Sequence, residues 1–111
     1  MISDREKTAL DHPRVAQVFK VHSEYRLEFL TDDEPVDIRL RIEESGDQFH
    51  LQQSRFIKTP LQLQPDMPKC NALTPEDALD EAMQSLTTFF DMAVRTDLKP
   101  SASWFVPNPS F

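Results

Sequence analysis

Hydrophobic and polar residues alternate most regularly between Val36 and Glu43, where Val36, Ile38, Leu40 and Ile42 interleave with Asp37, Arg39, Arg41 and Glu43. Successive side chains of a strand point to opposite faces, so this period of two sets four aliphatic side chains on one face and four charged ones on the other. Tyr25, Leu27 and Phe29 alternate with Glu24, Arg26 and Glu28 in the run before it, and Phe49 and Leu51 resume the pattern after it. Turns at Asp32-Asp33-Glu34-Pro35 and Ser45-Gly46-Asp47 separate the three runs, and the parity breaks at Phe56-Ile57, where a bulge or strand end is expected. The pattern predicts an antiparallel meander, apolar on one face and charged on the other.

Helical signals flank it. Ser3-Asp4-Arg5-Glu6 is a capping box that opens a short helix from about Asp4 to Leu10, closed near Asp11-His12-Pro13 because a residue before proline resists the helical region. Arg14 to Val21 suits a helix through Val15, Val18 and Phe19, and a strand through Val15, Phe19 and Val21. Thr74 opens the best helix: Pro75 takes its first position, and Glu76 and Asp77 face the positive end of its dipole. Ala78, Leu79, Ala82, Met83, Leu86, Phe89, Phe90, Ala93 and Val94 form its apolar stripe, Arg95 suits its end, and Pro100 marks the stop.

The expected fold is therefore α+β: an antiparallel β-meander of three to four strands, one long amphipathic C-terminal helix packed on one face, and a short N-terminal helix. Residues 1–111 read as one domain. Residues 59–73 form a proline-rich connector, in which Leu61 and Leu63 are expected to dock as a short edge strand, and residues 98–111 form an aromatic and proline-rich tail.

Composition sharpens the picture at three points. One glycine in 111 residues excludes glycine-rich dinucleotide and phosphate loops, which need at least two. A net charge of −7 disfavours nucleic acid and anionic membranes as partners, since both are bound through Lys and Arg. Charges alternate in sign along Asp4–Lys7 where a signal peptide needs an apolar run, no stretch is long enough for a membrane span, and Cys70 is the only cysteine, so a reducing cytoplasm is expected.

Candidate chemistry is sparse. His12, His22, His50 and Cys70 have no paired ligand spacing, so no metal or other cofactor is expected. Cys70 has one conceivable base, His50, and nothing in the sequence brings the two together. The acidic turns read as solvated bends. Arg26, Arg39 and Arg41, with His50, share the polar face of the meander, interleaved with acids that pair across strands. Arginine at all three positions favours recognition through its bidentate fork. Trp104, Phe105 and Phe111 make the tail either a strap on its own domain or a docking peptide. The candidate binding surface is accordingly Arg26, Arg39, Arg41, His50, Trp104, Phe105 and Phe111.

Pro65-Asp66-Met67-Pro68-Lys69-Cys70, followed by Thr74-Pro75-Glu76-Asp77-Ala78, resembles a feature of HicB-type antitoxins, in which a Pro-Asp-x-Pro-Gly-Cys segment leads into a capped Thr-x-x-Glu-Ala helix. Lys69 stands where that family has glycine, and the likeness covers about a fifth of the chain. The resemblance implies toxin neutralisation. The residues themselves lead first to a non-enzymatic cytoplasmic binding or adaptor protein, whose partner is a protein, a second copy in a homodimer included. The second reading is an acidic antitoxin- or chaperone-like neutraliser, whose helix face of Glu76, Asp77, Asp80 and Glu81 would cover a basic partner. The third is a small cysteine-dependent enzyme.

Overall fold

Val36, Ile38, Leu40 and Ile42 are all buried and share one face of the longest hairpin, as their spacing requires. They belong to a computed structural model that describes residues 2–111. Its elements are α1 (Asp4–Ala9), β1 (Lys20–Phe29), β2 (Val36–Ser45), β3 (Gln48–Gln53), β4 (Arg55–Ile57), β5 (Asn71–Ala72), α2 (Pro75–Arg95), a 3-10 turn (Ala102–Trp104) and β6 (Phe105–Pro107). Strands β1, β2, β3 and β5 form one antiparallel sheet in that spatial order, while β4 and β6 pair separately. The fold is α+β with α2 on one face of the sheet, as the hydrophobic pattern predicts.

Register follows from the core face. Leu27 lies opposite Ile38 and Phe29 opposite Val36 across β1 and β2, while Leu51 lies opposite Ile42 across β2 and β3. The only glycine, Gly46, sits at φ +60° at the first position of the two-residue β2–β3 loop, the conformation a tight hairpin demands there. β1 carries an irregularity between Val21 and Ser23, which leaves His22 outside the ladder. The ambiguous segment before it resolves into irregular chain up to Phe19 and strand from Lys20. α1 has no buried residue and is held to β1 through Glu6, whose carboxylate accepts from Lys20 Nζ at 3.0 Å.

On α2, Ala78, Ala82 and Ala93 are buried, and such small side chains let the helix approach the sheet closely around Leu86. Its footprint falls on β3, β4 and β5, with β2 at the margin. Tyr25, although opposite buried Leu40, is therefore 44 % exposed. Leu61 and Leu63 do not dock as an edge strand: both are exposed, Leu63 to 96 %. Pro60, Pro65 and Pro68 interrupt that stretch, and it is Asn71–Ala72, beyond the prolines, that pairs with Phe49 and His50 of β3.

The tail completes the core. Trp104 and Phe105 are 6 % and 3 % exposed and join Phe29 and Phe90 in an aromatic cluster, with ring centroids 4.9–5.7 Å apart from Phe29 to Phe90, Phe29 to Phe105 and Phe90 to Trp104. Ile57 pairs with Phe105, and Lys58 donates its amide to Trp104 O at 2.7 Å. The segment is thus a strap on its own core at Trp104 and Phe105, and those two side chains are withdrawn from the surface.

Candidate functional site

The face of the sheet opposite α2 carries the charged residues, and the register decides how they pair. Arg26 lies directly opposite Arg39, and Glu24 directly opposite Arg41. Two guanidinium groups face to face repel, so each turns to a diagonal acid: Arg26 to Asp37 at 3.0 Å, and Arg39 to Glu24. Glu24 also lies 3.6 Å from Arg41, whose Nη1 donates to Gln52 Oε1 at 3.4 Å. The Phe111 ring then covers the pair, 4.4 Å from the Arg41 guanidinium carbon and 5.6 Å from that of Arg39. Arg39, Arg41 and Phe111 form one cluster, and Arg26 stands apart from it.

His50 extends the same row. It faces Glu43 across β2 and β3, and Phe19 meets its ring edge to face at 5.3 Å. Around His50 opens a groove of about 420 Å³ whose floor is Glu43, His50 and Gln52. Met67, Pro68 and Cys70 of the connector form one rim, Asn108 and Ser110 of the tail the other, and Phe19 and Phe56 add aromatic surface. The tail rim is fixed by Asn108, whose amide donates to Ser54 O at 2.8 Å and whose Nδ2 donates to Gln53 O at 2.9 Å. On the connector side Leu51 donates its amide to Cys70 O at 2.7 Å, and buried Ser85 donates to Asp66 O at 3.4 Å.

The groove therefore brings His50 and Cys70 to one place, an arrangement that sequence spacing does not express. The exposed Cys70 thiol donates to Pro68 O at 3.7 Å. Among the described residues no group of three or more His, Cys, Asp or Glu side chains is arranged to hold a metal ion. Phe19, Phe56, Met67 and Asn108 line the groove without belonging to the surface that the sequence pattern suggests. Phe19 sits in the segment whose periodicity was ambiguous, and Asn108 acts through the backbone of a strand more than fifty residues away.

Two further features lie outside the groove. Asp77, Asp80, Glu81 and Gln84 of α2 line a hollow of about 500 Å³ with Gln48, Lys69 and Asn71. At the other end of the sheet, the Asp33 carboxylate accepts from the Thr31 hydroxyl at 2.6 Å, the Ala102 amide at 2.8 Å, the Ser101 hydroxyl at 2.8 Å and the Glu34 amide at 2.7 Å. These bonds, Thr31 first, hold its carboxyl well below the usual carboxylate range. A turn acid that reads as solvated is in fact the latch that caps the tail's 3-10 turn.

No helix among the described residues is long and apolar enough to cross a membrane. Comparison with known proteins returns no matching family model, no matching curated protein and no matching solved structure.

Proposed function

We propose that this is a non-enzymatic cytoplasmic binding protein that docks an extended polypeptide segment on the polar sheet face, in the groove around His50. The observation that carries the reading is that the chain's own tail already lies on that face, where it closes in a turn from Asn108 to Phe111. Asn108 bonds to the sheet backbone, and Phe111 rests its ring on Arg41. The groove continues past Ser110 with the same materials: apolar surface from Phe19, Phe56 and Met67, and a few polar groups from His50, Gln52 and Asn108. Such a lining suits a partner segment that inserts one large apolar side chain and satisfies its backbone at the rims. The Cys70 thiol bonds to a backbone carbonyl rather than to the imidazole, which favours binding over cysteine catalysis.

The hollow on α2 motivates a second reading, in which its carboxylates receive a basic partner, since Lys69 is the one basic residue lining it. One experiment separates the two. Random peptides displayed on phage are selected against the immobilised protein, and the winners are measured on Met67→Asp, Asp80→Lys and Cys70→Ser variants. Met67 and Asp80 are both exposed, so neither change disturbs the core. Groove binding predicts aromatic or large aliphatic peptides whose affinity falls roughly tenfold or more in Met67→Asp only. Basic peptides lost only in Asp80→Lys would replace it with the second reading.

A further inference from the structure

β1 is a ten-residue strand at the edge of the sheet, with a strand neighbour on one side only among the described residues. Its free edge is a row of backbone donors and acceptors ready to pair with another chain. Such edges are commonly guarded by proline, charge or a bulge, and β1 carries a bulge at His22. Beyond it the strand has no proline, and its charges alternate in sign as Glu24, Arg26 and Glu28 around the apolar Tyr25 and Leu27, so that a second copy can match them. Tyr25 and Val21 are large side chains left half open to solvent on this strand.

An alternating edge selects its own partner. Two copies related by a two-fold axis normal to the sheet pair residues symmetrically about the axis, and paired residues share a face, so the axis must pass through a residue. An axis through Glu24 sets Glu24 against Glu24 and His22 against Arg26. An axis through Arg26 sets Arg26 against Arg26 and Glu24 against Glu28. An axis through Tyr25 sets Glu24 against Arg26 of the second copy, twice, with Ser23 opposite Leu27 and Tyr25 on itself. Charge thus rejects the two adjacent registers, and the one centred on Leu27, which sets Arg26 against Glu28, is the competitor that remains. Tyr25 is also next to the strand's midpoint, and because the irregularity at His22 breaks the parity of β1, this register pairs the two strands from Ser23 to Leu27.

We infer that the chain forms a symmetric homodimer by antiparallel pairing of β1 with β1 of a second copy, centred on Tyr25, joining two four-stranded sheets into one of eight. The surface is separate from the groove proposed above, so either proposal fails without the other.

Sedimentation of the full chain across a roughly hundredfold range of concentration tests it. The wild type is expected at twice 12.9 kDa. Glu24→Arg and Arg26→Glu each set like charges opposite one another, and each is expected to move the dimer midpoint up by roughly tenfold or more. Mixing the two variants, or combining both changes in one chain, restores complementary pairs and the dimer. Far-UV circular dichroism of each variant shows whether the fold is retained, and the two rescues separate lost pairing from lost folding. A second measurement fixes the register. In a Cys70→Ser background, Tyr25→Cys places both thiols on the axis, where paired Cα atoms lie about 4.5–5.5 Å apart, within disulfide reach. Air oxidation should cross-link that variant and leave Leu27→Cys uncross-linked. A wild type that is monomeric throughout, or a Leu27→Cys variant that cross-links in place of Tyr25→Cys, overturns the proposal.

Discussion

Asp33 holds four donors with one carboxylate, two from its own turn and two from the C-terminal tail, and its ionisation is tied to folding. In the folded protein the charged form survives to lower pH than in the unfolded chain, where an aspartate titrates near about 4. Its contribution is therefore complete above about pH 4 and disappears as pH falls from there toward the lower folded value. Asp33→Asn is expected to lower Tm at neutral pH, with the gap to wild type constant above about pH 5 and narrowing below about pH 4. Thermal melts of both proteins across that range check the sign, and a gap that widens in acid would contradict it. Gln53 is the other residue out of keeping with its surroundings: it lies on the core face opposite Leu40, 1 % exposed, with Nε2 donating to Arg55 O and Oε1 buried without a partner.

At the scale of elements, α2 shows how glycine scarcity is accommodated. Its N-terminus follows the sequence closely, Thr74 Oγ1 accepting from the Asp77 amide at 3.0 Å with Pro75 next. Its C-terminus is a Schellman motif: Leu98 donates to Ala93 O and Asp97 to Val94 O, both at 3.1 Å. That motif wants glycine in the left-handed region, but the chain's one glycine is spent on the β2–β3 hairpin, and Asp97 takes the place at φ 64°. A carboxylate at the negative end of the helix dipole adds to the cost. Asp97→Gly relieves about 1–2 kcal/mol of left-handed strain against about 0.5–1 kcal/mol of glycine entropy, a net gain of about 0.5–1 kcal/mol readable by urea unfolding. The strands of the meander, the α2 cap and the centre of its apolar stripe are legible because each depends on neighbours in sequence, whereas Met83 and Val94 of that stripe lie exposed and Ser85 is buried in their stead. Pairings that depend on alignment between strands are not legible. That Arg26 meets Arg39 and turns to Asp37, or that Leu63 stays in solvent while Asn71–Ala72 joins the sheet, follows only once the register is known.

Over the whole molecule, which measures 55 × 23 × 22 Å, the tail is the part that local reading placed least well. Its aromatics divide by depth. Trp104 and Phe105 are core residues packed on Phe90 and Phe29, while Phe111 is a cap over two arginines. Composition treats the three alike, because nothing nearby in sequence says that β6 will pair with β4 some fifty residues earlier. Their substitutions should therefore differ sharply: Trp104→Ala is expected to cost about 3–5 kcal/mol, the range for removing a buried aromatic. Phe111→Ala should cost about 0.5–1 kcal/mol, the worth of an exposed cation–π contact. Equal losses in chemical denaturation would mean that the tail acts as one unit.

The latch at Asp33 also sets an order in time. Its partners Ser101 and Ala102 lie 68 and 69 residues further along, so a chain emerging from the ribosome presents the β1–β2 turn long before anything exists to close on it. Vectorial synthesis delivers the sheet, then α2, and only afterwards the two aromatics that seal the space between them. Until Trp104 and Phe105 arrive, Phe29 and Phe90 lack the two rings that cover them in the folded protein, so the core closes last at its C-terminal edge.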